Sequence, residues 1–240
     1  MFFCPFRKYH LMKHSLLPLL LLLLPFASCN NAQQPETTRR PIRVACVGNS
    51  ITEGYTLSDP STQAYPARLQ QILGEGYEVL NCGISGYTMM RNTEVPYFSP
   101  VNTDRHPFHD ALSFEPDIVT IKLGTNDSKT RYDSLLHADF TRDLDALIDS
   151  FQFLPTQPNI YLCLPVPAFS QGWTIRDSVI TTEIIPRIQE VATHRNLSVI
   201  DLNSPLKPFP ELFGDGIHPN KAGAMIIAEE IARQILLDNK

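Results

Sequence analysis

Four short segments of the chain carry side chains suited to acyl transfer. They are GNSIT around Ser50, NCGISGYT around Gly86, GTND around Asn126 and DGIHPN around His218. A serine hydroxyl becomes a nucleophile when a histidine accepts its proton, and Asp215 lies where it can accept a hydrogen bond from the other ring nitrogen of that histidine. Backbone N–H groups and an asparagine amide can hold the oxyanion that forms when a carbonyl is attacked. Together the segments predict a serine hydrolase.

Three of the four segments, taken alone, have a simpler explanation. A serine that follows a strand is more often a helix N-cap, and a glycine-rich stretch is more often only a turn. An Asp-x-x-His sequence is equally often an incidental pair of loop residues. The prediction of a hydrolase therefore depends on the elements that would bring the four segments together.

Apolar runs alternate with segments of helical spacing through the chain. The predicted strands are Ile42–Val47, Tyr77–Cys82, Asp117–Leu123, Asn159–Leu164 and Leu197–Asp201. The predicted helices are Gln63–Leu73, Leu135–Phe151, Arg176–Arg195 with a possible break at Pro186, and Asn220–Leu237. This alternation predicts an α/β protein, a three-layer α/β/α sandwich with a five-stranded parallel sheet. The chemical segments then share the edge formed by the carboxyl ends of the strands, where such sheets bind ligands.

In this order and wording, the four segments resemble blocks I, II, III and V of the SGNH (GDSL-type) hydrolases, over about residues 43–237. The resemblance implies a flavodoxin-like SGNH hydrolase fold and a serine esterase that needs no metal and no organic cofactor. It implies Ser50 as nucleophile, His218 as general base and Asp215 as the residue that orients the base. The oxyanion hole would consist of the Ser50 N–H, the Gly86 N–H and the Asn126 amide.

One residue departs from the family pattern. The family's first block usually reads Gly-Asp-Ser, and here Asn49 replaces the aspartate. An asparagine can still hold the turn by accepting a hydrogen bond, but the change leaves open a non-catalytic, glycan-binding relative. An ordinary α/β-hydrolase is excluded, because that fold places its serine in G-x-S-x-G, whereas Ser50 lies in G-N-S-I-T.

The predicted substrates are short-chain acyl esters, acetyl above all, on carbohydrates. The GNSIT and IKLGTND wording resembles esterases that remove acetyl groups from sugars, and the long segment 87–114 mixes polar residues with the aromatic residues Tyr97, Phe98 and Phe108. Tyr87 and Trp173 are candidate substrate-binding residues, although Trp173 could equally anchor a loop. The alternative is a lysophospholipase or thioesterase acting on longer acyl chains.

The N-terminus predicts export. Residues 1–28 read as a signal peptide of the lipoprotein type, because a short apolar run ends in small residues just before Cys29. Cys29 is the candidate lipidation site, residues 29–40 a flexible tether and residues 41–240 the hydrolase domain. We therefore expect an exported protein that contacts the bacterial membrane only through its lipid; a plain secreted protein is the alternative.

The charge of the chain bears on its partners, and three cysteines and one lysine lie in its apolar strands. The net charge is −5 and no block of basic residues occurs, which argues against a nucleic-acid partner. Cys46, Cys82 and Cys163 lie in apolar runs and predict buried free thiols. No metal site is expected. Lys122 lies in an apolar strand, so we expect it to be paired or directed to the sheet edge.

Overall fold

A five-stranded parallel sheet forms the centre of the protein in the computed structural model, which describes residues 40–100 and 103–238. Its strands are β1 (Ile42–Gly48), β2 (Tyr77–Gly83), β3 (Ile118–Lys122), β4 (Asn159–Cys163) and β5 (Ser198–Ile200). They are parallel, in the order β2-β1-β3-β4-β5, which is the flavodoxin-like order. The predicted α/β fold is confirmed. The predicted signal peptide, Cys29 and all of the tether except its last residue, Arg40, lie outside the described residues.

Helices connect the strands and cover the sheet. They are α1 (Ser50–Glu53), α2 (Pro60–Gln63), α3 (Tyr65–Leu73), α4 (Pro107–Ser113), α5 (Asp133–Gln152), α6 (Asp177–Val179), α7 (Ile185–Arg195) and α8 (Lys221–Asp238). A π-helical turn, Ile180–Ile184, joins α6 to α7. Pro186 therefore lies in the first turn of α7, where its missing N–H is tolerated. The backbone stays helical from the π-helical turn into α7, so Pro186 does not end the helix. In the described part of the chain, no helix is long and apolar enough to cross a membrane.

The sheet is buried on both faces because alternate strand residues point to opposite sides. In β1, Val44 and Cys46 pack in a cluster with residues of α3 and α8. Ala45 and Val47 pack in the other cluster, with residues of α5 and α7. The three strand cysteines are buried and free, as predicted, and burial raises the pKa of the Cys46 thiol to about 12.

The connection between β2 and β3 packs into the protein instead of forming an open binding loop. Tyr97, Phe98 and Phe108 are all buried in the core. The Tyr97 hydroxyl donates to the carbonyl oxygen of Cys82 at 2.7 Å, which fixes the connection to the end of β2. The expectation that these three rings would border a sugar is therefore wrong, because tertiary packing takes them out of reach of a ligand.

The carboxyl end of β2 passes very close to α1. A Cβ atom added at Gly83 would lie 2.2 Å from the backbone nitrogen of Glu53 and 2.7 Å from the carbonyl carbon of Thr52. Both obstacles are backbone atoms, so a side chain at position 83 would push β2 and α1 apart. Because α1 begins at Ser50, this contact also sets the position of the predicted nucleophile.

Gly83→Ala should lower the free energy of unfolding by about 1–3 kcal/mol, the usual cost of overpacking. Gly76→Ala is the matched control, because an added Cβ there meets no atom within 4 Å. Urea denaturation of the two variants measures the difference. Equal stabilities would show that β2 and α1 can separate without cost.

Candidate active site

Ser50 occupies the first position of α1, directly after β1. The preceding Asn49 caps this helix, and its Oδ1 accepts a hydrogen bond from the backbone N–H of Ile51 at 3.2 Å. The helix ends after one turn at Gly54, whose φ of 92° is left-handed. As the first helical residue, Ser50 has a backbone N–H with no partner inside the helix. The turn thus presents both a hydroxyl and an N–H at the sheet edge.

His218 lies between Ser50 and Asp215. Its Nε2 is 2.9 Å from Ser50 Oγ, and its Nδ1 is 2.6 Å from Asp215 Oδ2. When the proton sits on Nδ1 and is donated to the carboxylate, Nε2 is free to accept the serine proton. The fold therefore brings the three predicted triad residues together in that hydrogen-bonded order.

The turn that carries Asp215 and His218 is held from two sides. Asp215 Oδ1 accepts hydrogen bonds from the backbone N–H groups of Ile217, at 2.9 Å, and His218, at 2.7 Å. Gly216 has a φ of 79°, and a Cβ there would lie 2.5 Å from the Cβ of Ser170. Ser170 also donates its hydroxyl to the carbonyl oxygen of Asp215 at 2.9 Å. The loop after β4 thus fixes the orientation of the histidine.

Asp215 is held in its ionised form. Burial alone would raise its pKa, but hydrogen bonds from the backbone and ring of His218 and from the backbone of Ile217 outweigh burial and lower the pKa below its ordinary value. An ionised carboxylate at this position is able to stabilise a protonated His218 ring.

A cavity of about 200 Å³ opens beside Ser50 and His218. It is lined by Ser50, Tyr55, Ser85, Gly86, Asn126, Lys129, Trp173, Ile175 and His218. A wider cleft of about 610 Å³ shares His218 and also contains Asp215 and Lys221. The smaller cavity holds Ser50, the predicted nucleophile, so it is the candidate position for a reacting group.

The three predicted oxyanion donors line this smaller cavity. Gly86 has a φ of 87°, and its N–H donates to no group among the described residues. Asn126 Nδ2 donates to the carbonyl oxygen of Tyr87 at 2.9 Å. Because an amide nitrogen carries two hydrogens, this bond fixes the side chain and leaves one N–H for a ligand.

Asp127 ties the oxyanion segments together. It is fully buried, and its carboxylate accepts hydrogen bonds from the backbone N–H groups of Met89, at 3.0 Å, and Met90, at 2.9 Å. Burial raises its pKa to about 6, although the two backbone donors act in the opposite direction. This residue was not predicted as part of the site, and its only signal in the sequence is the final aspartate of GTND.

Two half-exposed aromatic rings flank His218. The ring centroid of Tyr55 lies 4.9 Å from that of His218, and the centroid of Trp173 lies 5.3 Å from it. Tyr55 is 47% exposed and Trp173 53% exposed. The structure thus places Trp173 at the cavity, together with Tyr55, which sequence reasoning missed. The side chain of Tyr87, the other candidate substrate-binding residue, packs in the core, and its carbonyl oxygen serves the site instead.

Two lysines near Asn126 are also buried. Lys129 is 8% exposed and lines the cavity, a role that sequence reasoning missed. Lys122 is fully buried and its Nζ has no hydrogen-bond partner. The expectation that Lys122 would be paired or directed to the edge is wrong, because its side chain points into the packed layer beside Cys163. Burial lowers the pKa of Lys122 to about 7.

This arrangement is able to perform acyl transfer. His218 can take the proton of Ser50 as Oγ attacks a carbonyl carbon, and the donors around the cavity can hold the resulting oxyanion. Within the residues that the structure describes, no group of three or more His, Cys, Asp or Glu side chains could hold a metal ion.

Comparison with known proteins gives the same family. The family model of the GDSL-like lipase/acylhydrolase family matches residues 46–226. A protein named acetylxylan esterase from Xylanibacter ruminicola is 42% identical in an alignment 222 residues long, and the match covers 84% of this chain. The match covers 44% of that protein, so the chain spans less than half its length.

Solved structures share the fold at low sequence identity. A carbohydrate acetylesterase from Sinorhizobium meliloti aligns with a TM-score of 0.64 at 19% identity, over 82% of this chain and 99% of its own. A lipase/acylhydrolase from Enterococcus faecalis aligns with a TM-score of 0.62 at 23% identity, over 81% and 95% of the two chains. At these identities the likeness establishes the fold alone.

Asn49→Ala should slow the reaction of Ser50 with a fluorophosphonate probe by on the order of 10²-fold, the cost of a misplacement of about 1 Å. The variant should also lose about 1 kcal/mol of stability with its helix cap. Asp59→Ala is the matched control, because Asp59 caps α2 through the N–H of Ser61 at 3.2 Å. It should lose similar stability and keep the wild-type labelling rate. Unchanged labelling of Asn49→Ala would mean that the cap does not position the nucleophile.

Proposed function

We propose, since the chain belongs to the GDSL-like lipase/acylhydrolase family, that it is a carboxylic ester hydrolase that removes acetyl groups from carbohydrates. The observation that carries this proposal is the pair of half-exposed aromatic rings beside His218, at the mouth of a small cavity that holds Ser50. The relative named acetylxylan esterase supports the same substrate class.

The mechanism uses an acyl-enzyme. Ser50 Oγ attacks the ester carbonyl carbon while His218 Nε2 takes its proton, and the oxyanion accepts hydrogen bonds from the Ser50 and Gly86 N–H groups and the Asn126 amide. When the tetrahedral intermediate collapses, His218 returns the proton to the departing alcohol oxygen. Water then attacks the acyl-serine by the same route and releases the acid. Asp215 stabilises the imidazolium in both steps.

The proton transfer places the alcohol part of the substrate. His218 must lie next to the departing oxygen in order to protonate it, so the rings beside His218 also border the alcohol. The faces of Tyr55 and Trp173 are half exposed and offer apolar surface with a polar tip on each side chain. A sugar suits such a border, because the C–H groups of its ring pack on aromatic faces while its hydroxyls remain in water.

The size of the cavity favours a short acyl group. A volume of about 200 Å³ is below the roughly 300–1,000 Å³ of pockets for drug-sized ligands. An acetyl group fits this space together with part of a sugar ring.

A kcat/KM series over acetyl, butyryl, octanoyl and palmitoyl esters of p-nitrophenol should fall steadily after acetyl or butyryl. If the protein had a true acyl tunnel, binding of the acyl chain would instead become more favourable by roughly 0.8 kcal/mol for each buried methylene. Ser50→Ala, run beside the wild type, should abolish hydrolysis and leave the thermal midpoint unchanged. A rise toward octanoyl would favour a lysophospholipase or thioesterase, and wild-type turnover by Ser50→Ala would remove Ser50 from its role.

We also propose that the protein is exported and anchored to the bacterial cell envelope through a lipid on Cys29. The support is the sequence alone: an apolar run that ends in Ala27 and Ser28 before the cysteine. Such an anchor would hold the hydrolase domain outside the cytoplasm, where glycans are met before acyl thioesters.

Cys29→Ser should release the protein from the membrane fraction or leave its signal peptide uncleaved, because this thiol is the proposed attachment point. Detergent phase partitioning of cell extracts, with Cys46→Ser as the matched control, measures the change. Membrane association that persists unchanged in Cys29→Ser would contradict the anchor.

A further inference from the structure

Lys129 is placed against the reacting groups by a short 3₁₀ turn, Asn126–Ser128. The backbone N–H of Lys129 closes this turn on the carbonyl oxygen of Asn126 at 3.3 Å. Side chains three residues apart lie nearly above one another in such a turn. Accordingly, Asn126 and Lys129 line the same cavity, which also holds Ser50.

The ammonium group of Lys129 has no partner within the described residues. Among the described residues, every ion pair uses arginine except the one between His218 and Asp215. The nearby acids are already occupied: Asp127 by two backbone N–H groups and Glu94 by the Tyr132 hydroxyl and Arg131. The Nζ of Lys122 is fully enclosed, whereas that of Lys129 is not, and Lys129 is among the residues that line the cavity.

This cation is not part of a general positive surface. Residues 40–238 contain 15 Lys and Arg against 24 Asp and Glu, a formal charge of −9. An acidic protein repels anions over most of its surface. A lysine that is 8% exposed in the wall of the cavity is therefore a local exception to that charge.

A partly desolvated ammonium is costly unless an anion or several acceptors meet it. Burial lowers the pKa of Lys129 and the positive charge of Arg131 lowers it further, and these effects outweigh the opposing attraction of the Asp127 and Glu94 carboxylates. A negative group in the cavity would remove this penalty. The protein supplies none there, because the described residues that line the cavity include no Asp or Glu.

We propose that Lys129 binds a carboxylate carried by the sugar, so that the substrates of this site are esters of acidic sugars such as uronic acids. The inference rests on the proposed function. A carboxylate is compact enough for the small cavity. Lys129 is thus a specificity residue, placed beside the machinery that attacks the ester.

The test compares two esters that differ in one group. Mono-acetylated methyl glucuronoside carries a carboxylate where mono-acetylated methyl glucoside carries a hydroxymethyl group. The wild type should prefer the acid by about 10–100-fold in kcat/KM, mainly through KM, as expected for a partly buried charge pair. Lys129→Met should reduce this ratio to about one, and Lys129→Arg should restore part of it. Lys207→Met, which removes an exposed lysine, should keep the wild-type ratio.

Two results would overturn the proposal. One is a wild-type ratio near one. The other is an equal loss on both esters in Lys129→Met, which would assign the lysine to the oxyanion or to the fold. If the wild type hydrolyses neither ester, the proposed function fails, and calorimetric binding of methyl glucuronoside and methyl glucoside decides the inference separately. Binding of the acid alone, lost in Lys129→Met, supports it, and no selective binding overturns it.

Discussion

The hydrogen bond between Ser50 Oγ and His218 Nε2 joins residues that are 168 positions apart in the chain. A serine and its base must be held to about 0.5 Å for acyl transfer, so every element between them has to end in the right place. Ser50 is fixed by β1 and its capped helix. His218 is fixed because Ser170 holds its turn on one side, while Asn220 caps α8 on the other through the N–H of Ala222 at 2.9 Å. The two ends meet because α3 and α8 pack in one core cluster.

The edge of the sheet that carries this bond is also where the structure departs from ideal packing. Asn49 Nδ2, Lys122 Nζ and Thr125 Oγ1 are enclosed without hydrogen-bond partners. Trp173 has a φ of 52° and Thr56 a φ of 74°, both left-handed for residues with a Cβ. Such features cost about 1–3 kcal/mol each, against a total stability of roughly 5–15 kcal/mol for a typical domain. They are tolerated because the sheet beneath is buried on both faces.

The sheet was predictable because its signal is local. Five apolar runs predict the five strands, and each predicted strand end lies within one residue of the observed end. For example, β5 is predicted as Leu197–Asp201 and observed as Ser198–Ile200. The one-turn helices α1 and α2 are too short to show a period, and they were missed. Tyr55 and Lys129 were missed for another reason: nothing in their neighbouring residues tells which loop side chains meet in space. The buried rings of segment 87–114 were assigned to a binding loop, because composition does not tell whether an aromatic residue faces a ligand or the core.

The departure from the usual Gly-Asp-Ser block is explained by buried charge. Asn49 is fully buried, and its Oδ1 makes the capping bond that an aspartate would make. The bonds among Ser50, His218 and Asp215 are complete without a carboxylate at position 49. An aspartate there would have to be desolvated, at a cost that further hydrogen bonds or a nearby cation must offset. Lys122 pairs with Gly48 in the sheet register, yet burial lowers its pKa to about 7, so near neutral pH it is only partly charged. A neutral amide keeps the cap without adding a buried charge, so the substitution gives no reason to expect an inactive nucleophile.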